Sequence, residues 1–161
     1  MSKLDIRDDL LVPLDGIDVG RLVEFWRWML PDSLQPWFGT ALGDLFLQGP
    51  EGQVSWLDVG VGELQEVAKS AAEFRAMLAI PDNVALWFGE VLVDQLRAAG
   101  LILKPQQCYC YRLLPILGGE YRPDNFCVRD VVTHFQIWGP IHRKLHILPD
   151  GATIEFVIRK T

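Results

Sequence analysis

Three histidines and three cysteines are the residues of this sequence best suited by type to hold a metal or attack a substrate: His134, His142, His146, Cys108, Cys110 and Cys127. His142 and His146 stand four apart in "IHRKLHIL", so a helix would place them on one face. The residues between them are Arg-Lys-Leu, without the glutamate of the His-Glu-x-x-His metalloprotease motif, and two cations beside the pair oppose a metal ion. A solvated basic face is the expectation there. His134, inside "VVTHFQIW", has the spacing of a packed or hydrogen-bonded histidine. Cys108 and Cys110 alternate in "CYCYRLL" and share one face of a strand. Joined by Cys127 and a histidine they could form a small metal site or enzyme centre. One residue separates Cys108 from Cys110, however, where structural zinc pairs favour two to four. Reduced, packed thiols are expected. No helix start or neighbouring base is evident to lower a thiol pKa, so a cysteine nucleophile has no support.

The carboxylates are more numerous. Asp44 and Asp58 sit on the two arms of a hairpin and can approach one another; with no histidine, metal motif or phosphate loop nearby, they read as surface or loop-anchoring acids. Gly118-Gly119 lacks the Lys-Ser/Thr and the strand-to-helix setting of a phosphate loop, so these glycines are expected to serve a tight backbone path. No nucleophile, base and orienter can be assembled. The sequence therefore predicts no catalytic residue, metal or cofactor.

The elements that must position these residues follow from periodicity. "DVGRLVEFWRWMLP" has helical spacing at Leu22, Phe25, Trp26, Met29 and Leu30, with Asp18 as cap. "PDSLQPWFGTALG" is punctuated like a loop. "DLFLQ" and "VSWLDV" form a β-hairpin around "GPEGQ", apolar on both faces and so covered on both. A third short strand is expected in "VGVGELQEVAK". Ser70 and Glu73 spell a capping box for the next helix. A single helix then fits "DNVALWFGEVLVDQLRAAG", with Asp94 and Arg97 near enough to pair. A strand at "CYCYRLL", one at "FCV", a helix from Asp130, a break at Gly139-Pro140, a further short helix and a last strand at "TIEFVI" complete the chain. The pattern is an α+β fold, a mainly antiparallel sheet packed against several helices. It reads as one domain over residues 1–161, with 1–15 as a loose lead-in.

At 161 residues, half hydrophobic and 22% charged, the chain can bury a sizeable core and is not a disordered polymer. No apolar run suits a membrane span, and the acidic N-terminus is unlike a signal peptide, so the cytoplasm is the expected location. The net charge of −6 is uneven: residues 32–94 hold ten acids against two bases, whereas residues 95–161 hold five acids against nine bases. An acidic middle argues against a nucleic-acid partner and suits a basic protein, or simply a solvated surface.

Four segments, "WRWMLPDSLQPWFGTALGDLFL", "VSWLDVGVGELQEVAKSAAEFRAML", "QCYCYRLLPILGGEYRPDNF" and "HFQIWGPIHRKLHILPDGA", occur in an order that resembles the C-terminal domain of the Tdi-type immunity proteins of bacterial type VI secretion. The resemblance extends over roughly residues 20–155. It implies a non-catalytic protein that binds and neutralises a toxin, a secreted DNase. A toxin surface made basic to hold DNA would meet the acidic middle favourably. Charge clustering nominates Asp44, Glu51, Asp58, Glu63 and Glu66 as partner-binding residues.

Overall fold

A hairpin with large apolar side chains on both faces needs a layer on each side, and the chain supplies both. In the computed structural model, which describes residues 3–154, five strands pair antiparallel in chain order: β1 (Leu11–Val12), β2 (Gln35–Thr40), β3 (Leu45–Gln48), β4 (Val54–Asp58) and β5 (Glu63–Ala68). The hairpin register sets Leu45 opposite Leu57 and Phe46 opposite Trp56. Phe46 belongs to an aromatic cluster with Phe38, Phe74 and Phe88, at ring separations of 4.9, 5.1 and 5.7 Å. On the opposite face Leu45, Leu47 and Leu57 are wholly buried. Burying each of these side chains stabilises the fold by about 1.5–3 kcal/mol.

Helices α1 (Val19–Val23), α2 (Ala71–Met77), α3 (Pro81–Phe88), α4 (Glu90–Ala98) and α5 (Val131–Ile147) surround this sheet, and β6 (Gln107–Tyr111) with β7 (Phe126–Asp130) forms a second, two-stranded one. The arrangement is a single compact α+β domain, as the sequence pattern predicts. The caps read from sequence form as expected. Asp18 accepts from the Arg21 N–H at 3.2 Å, Ser70 from the Glu73 N–H at 3.0 Å, and Asp130 from the Thr133 N–H at 3.1 Å. Glu73 reaches back to the N–H of Lys69.

Several expectations are corrected. The supposed loop at 31–43 contains β2, a central strand; Pro36 is tolerated because the register of β2 against β3 shifts between Pro36 and Phe38. The lead-in is not loose over its described part: β1 pairs with β2, and Leu4, Leu10 and Val12 are buried. The long helix after Pro81 is two helices, because Gly89 adopts a left-handed φ of 57° between them. Asp94 pairs with Arg7 at 2.6 Å and Arg97 with Asp9 at 3.7 Å, so tertiary partners replace the expected pair within the helix. Gly139-Pro140 does not break α5, which runs through both. A Cβ on Gly139 would stand 2.6 Å from the carbonyl oxygen of Phe25. The glycine thus lets α5 lie tight against the segment after α1, and that packing outweighs the rung lost at proline. The strand expected at "TIEFVI" lies almost wholly outside the described residues.

Candidate functional site

Two hairpin turns, between β2 and β3 and between β4 and β5, lie side by side at one end of the five-stranded sheet. The chain uses them in opposite ways on their two sides.

Along one side runs α5. Its His134 Nε2 lies 2.8 Å from the carbonyl oxygen of Gly43 in the first turn, and its His142 Nε2 lies 2.6 Å from that of Val59 in the second. A carbonyl only accepts, so both Nε2 atoms carry the proton. Eight residues of helix advance roughly 12 Å, comparable to two strand spacings of about 4.8 Å, so one helix reaches both turns. Gly43 and Gly62 complete the fit: a Cβ on either would collide with the ring of His134 or His142. Burial depresses the His134 pKa to about 4, against the Gly43 hydrogen bond, which favours the charged form; burial also lowers that of His142. His142 is therefore a buried anchor and not part of a solvated basic face. His146 alone stays outside, its ring 5.3 Å from that of Trp28.

On the other side the turns open into a cleft of about 580 Å³. Its floor holds Asp44, Asp58 and Trp56, one wall is built by α3 and α4 through Leu86, Trp87, Gly89, Glu90 and Val91, and Tyr111 and Tyr121 form the other. Gly89 makes the first wall possible, since its left-handed φ of 57° turns the chain between α3 and α4, with Leu42 packed close against it. Tyr121 is positioned from behind. Asn125 accepts from the Leu113 N–H and donates to the carbonyls of Leu113 and Glu120, which closes the loop carrying Tyr121. Gly119 is required in that loop, because a Cβ would overlap the Leu113 carbonyl. The Gly118-Gly119 pair is therefore scaffold, as its sequence context indicates.

The register explains the acids. With Leu45 opposite Leu57, the next residues outward are Asp44 and Asp58, and Asp58 is itself opposite Glu63. The structure thus brings Asp44, Asp58 and Glu63 to one end of the sheet. Glu51 lies in the turn at the far end of the β3–β4 hairpin, and Glu66 lies further along β5 opposite Ser55. Of the surface and loop-anchoring roles open to it, Asp44 takes the second and is not a surface contact: it is only 7% exposed, and its oxygens accept from the Val59 N–H at 2.9 Å and the Trp56 indole N–H at 3.2 Å. Its work is to tie β3 to the β4–β5 turn. Burial first, and then the charge of Asp58, raise the Asp44 pKa well above the ordinary carboxylate range. Burial also raises Asp58, against hydrogen bonds from the N–H groups of Gly60 and Val61. Burial lifts Tyr121 to about 12.

Chemically, the cleft offers crowded carboxylates without a nucleophile beside them. The cysteines lie elsewhere: Cys108 and Cys110 are buried in β6, Cys127 stands opposite Cys110 in register, and burial pushes the Cys110 thiol up to about 11. Burial raises Cys108 as well, and these two thiols, held protonated, are poor nucleophiles and poor metal ligands. Among the described residues no three His, Cys, Asp or Glu side chains are gathered so as to hold a metal ion. Among the described residues, too, no helix is long and apolar enough to cross a membrane.

The cleft itself could not be read from one sequence, because its walls come from residues 42–58, 85–95 and 111–121. The surviving signal was Asp44 and Asp58 on paired hairpin arms. Leu86 and Val91, apolar yet 64% and 67% exposed, give a second signal once the structure is known.

Residues 68–142 match the family model described as the T6SS immunity protein Tdi1, C-terminal. The resemblance read from the sequence is borne out over that stretch, which runs from the end of β5 to His142 of α5. Comparison with curated proteins finds no match. Among solved structures, the crystal structure of Atu4351 from Agrobacterium tumefaciens superposes with a TM-score of 0.54 at 13% identity. The overlap takes in 76% of this chain and 62% of that one. At such identity the likeness is one of fold.

Proposed function

We propose, with the match of residues 68–142 to the type VI immunity family as premise, that this chain is a non-catalytic binding protein that neutralises a bacterial toxin. The match is the observation that carries the reading. The cleft supports it: two of its walls, α3–α4 and the Tyr111–Tyr121 side, belong to the matched stretch, and its lip exposes Leu86, Val91 and Tyr121. Apolar side chains clustered at an open edge suit a protein partner. The acidic sheet end suits a basic one, and a DNA-cutting toxin must be basic where it grips phosphates. The proposed partner is therefore a nuclease, met in the cytoplasm, and the binding surface includes Asp58 and Glu63 with Glu51 and Glu66 as outlying charges. Asp44 contributes from beneath and not as a surface contact. An interface of at least about 1,000 Å² is needed for a specific complex.

The test is co-expression with the product of the adjacent reading frame. A stable complex, together with rescue of cells from that product's toxicity, is the expected result. Failure of both copurification and rescue would end the reading.

A further inference from the structure

We infer that the cleft between the hairpin turns and α3–α4 receives an arginine side chain projecting from the protein partner. The inference rests on the immunity reading for who the partner is, but not for the chemistry of the occupant.

The shape comes first. The cleft is open, about 580 Å³ in volume, and walled by Trp87, Leu92, Tyr111 and Tyr121. Leu86, Val91 and Tyr121, at 64%, 67% and 55% exposure, stand at its edges, so an incoming surface can cover apolar area around a central insertion. Charge then selects what is inserted. Asp44, Asp58 and Glu90 line the cleft, and no lysine, arginine or histidine does. The ion pairs among the described residues engage Asp8, Asp9, Asp32, Asp94, Glu120 and Asp124, and none engages these three acids. An apolar plug would seal uncompensated carboxylates against hydrocarbon, which is costly, and an acidic side chain would add repulsion. A cation answers both objections.

Guanidinium fits better than ammonium. Its planar fork carries five donors, enough to pair with Asp58, which already spends part of its capacity on the N–H groups of Gly60 and Val61, while still reaching other acceptors in the cleft. It also stacks on aromatic faces, and Tyr121 offers one, held 6.4 Å from Tyr111 in an edge-on pair. Asp58 is the principal contact, since it is half-buried whereas Asp44 lies below it.

Two arms test this. In the first, the whole protein is titrated with acetyl-Gly-Arg-Gly-amide and its Lys and Gln counterparts, and the indole N–H signals of Trp56 and Trp87 and the amide of Tyr121 are followed by NMR. The arginine peptide should give saturable shifts confined to the cleft, the lysine peptide weaker ones and the glutamine peptide none, and Asp58→Asn should abolish them. Equal response to arginine and glutamine, or no response, overturns the inference. In the second arm, affinity for the adjacent gene's product is measured. Asp58→Asn, which keeps the acceptor for the Gly60 N–H, and Leu86→Asp, at an exposed position, should each weaken it by at least about tenfold. Glu51→Lys, at the far end of the hairpin, should change it far less. Tight binding unaffected by both cleft variants overturns the docking site and leaves the immunity reading standing. A peptide response without any complex keeps the arginine preference and removes the immunity reading.

Discussion

The two sides of the hairpin turns differ in what they leave unfinished. On the α5 side, His134 and His142 each meet a carbonyl, and Gly43 and Gly62 are shaped to their rings. On the cleft side, three carboxylates face a space with no cation along its walls, beside leucine and valine side chains open to solvent. The same backbone turns serve both. One side is a buried joint that fixes where the turns stand and leaves only the His134 Nδ1 of the two anchoring rings buried without a partner; the other leaves carboxylates and apolar side chains facing an open cleft. Rigidity behind and unmet chemistry in front is the arrangement expected of a surface that binds without reorganising.

The comparison can be broken most forcefully at the joint. Gly43→Val puts a branched side chain at φ 87° and into the His134 ring, and should cost at least about 3 kcal/mol. Gly52→Ala, at φ 85° with open space around it, should cost only about 1–2 kcal/mol. Urea denaturation of both variants checks this, and equal losses would show that backbone conformation alone matters.

Acid should loosen the joint next. His134 has a folded pKa of about 4 against an ordinary 6.5, so the unfolded chain takes up its proton first. Its contribution is fully present above pH 6.5 and is lost as pH falls toward 4, by up to about 3 kcal/mol. His134→Gln keeps a donor for the Gly43 carbonyl and should flatten that slope in denaturation curves taken from pH 7.5 to 4.5.

The cleft acids have the opposite sign. Asp44 is raised, so its ionisation disfavours the folded state, and the penalty grows as pH climbs above the usual carboxylate range. Asp44→Asn removes the ionisation but leaves either the Val59 or the Trp56 N–H facing an amide NH2 that cannot accept, so it should cost about 1–2 kcal/mol near pH 4 and less at pH 8, read from thermal unfolding at the two pH values. The smallest effect belongs to Leu86→Asp, which should alter stability by less than about 0.5 kcal/mol, because the side chain is already in water.

Much of this fold is legible in the sequence where local rules decide. The capping residues Asp18, Ser70 and Asp130, the 45–58 hairpin and the α+β class follow from periodicity and cap chemistry. The failures occur where distant packing overrules local signals. Pro36 and Gly39 disguise a central strand whose irregular register accommodates the proline, and Gly139-Pro140 punctuates a helix held continuous by its fit against Phe25. Gly89 splits a continuous apolar pattern because it takes a left-handed φ of 57°, with the side chain of Leu42, 47 residues away in sequence, close against it. The site was legible only in part. Asp44 and Asp58 were nominated by charge, but the burial that makes Asp44 an anchor and leaves Asp58 half-buried depends on neighbours the sequence does not order. The histidines at 134 and 142 suggested a packed residue and a surface one; both turned out to hold turns.

Hydrogen exchange of the whole protein, with and without the adjacent gene's product, tests the central claim most directly. Protection on binding should appear at residues 85–95 and 111–121 and around Asp58, while the amides of α5 stay as they were. Protection centred on α5, with the cleft segments unchanged, would contradict it.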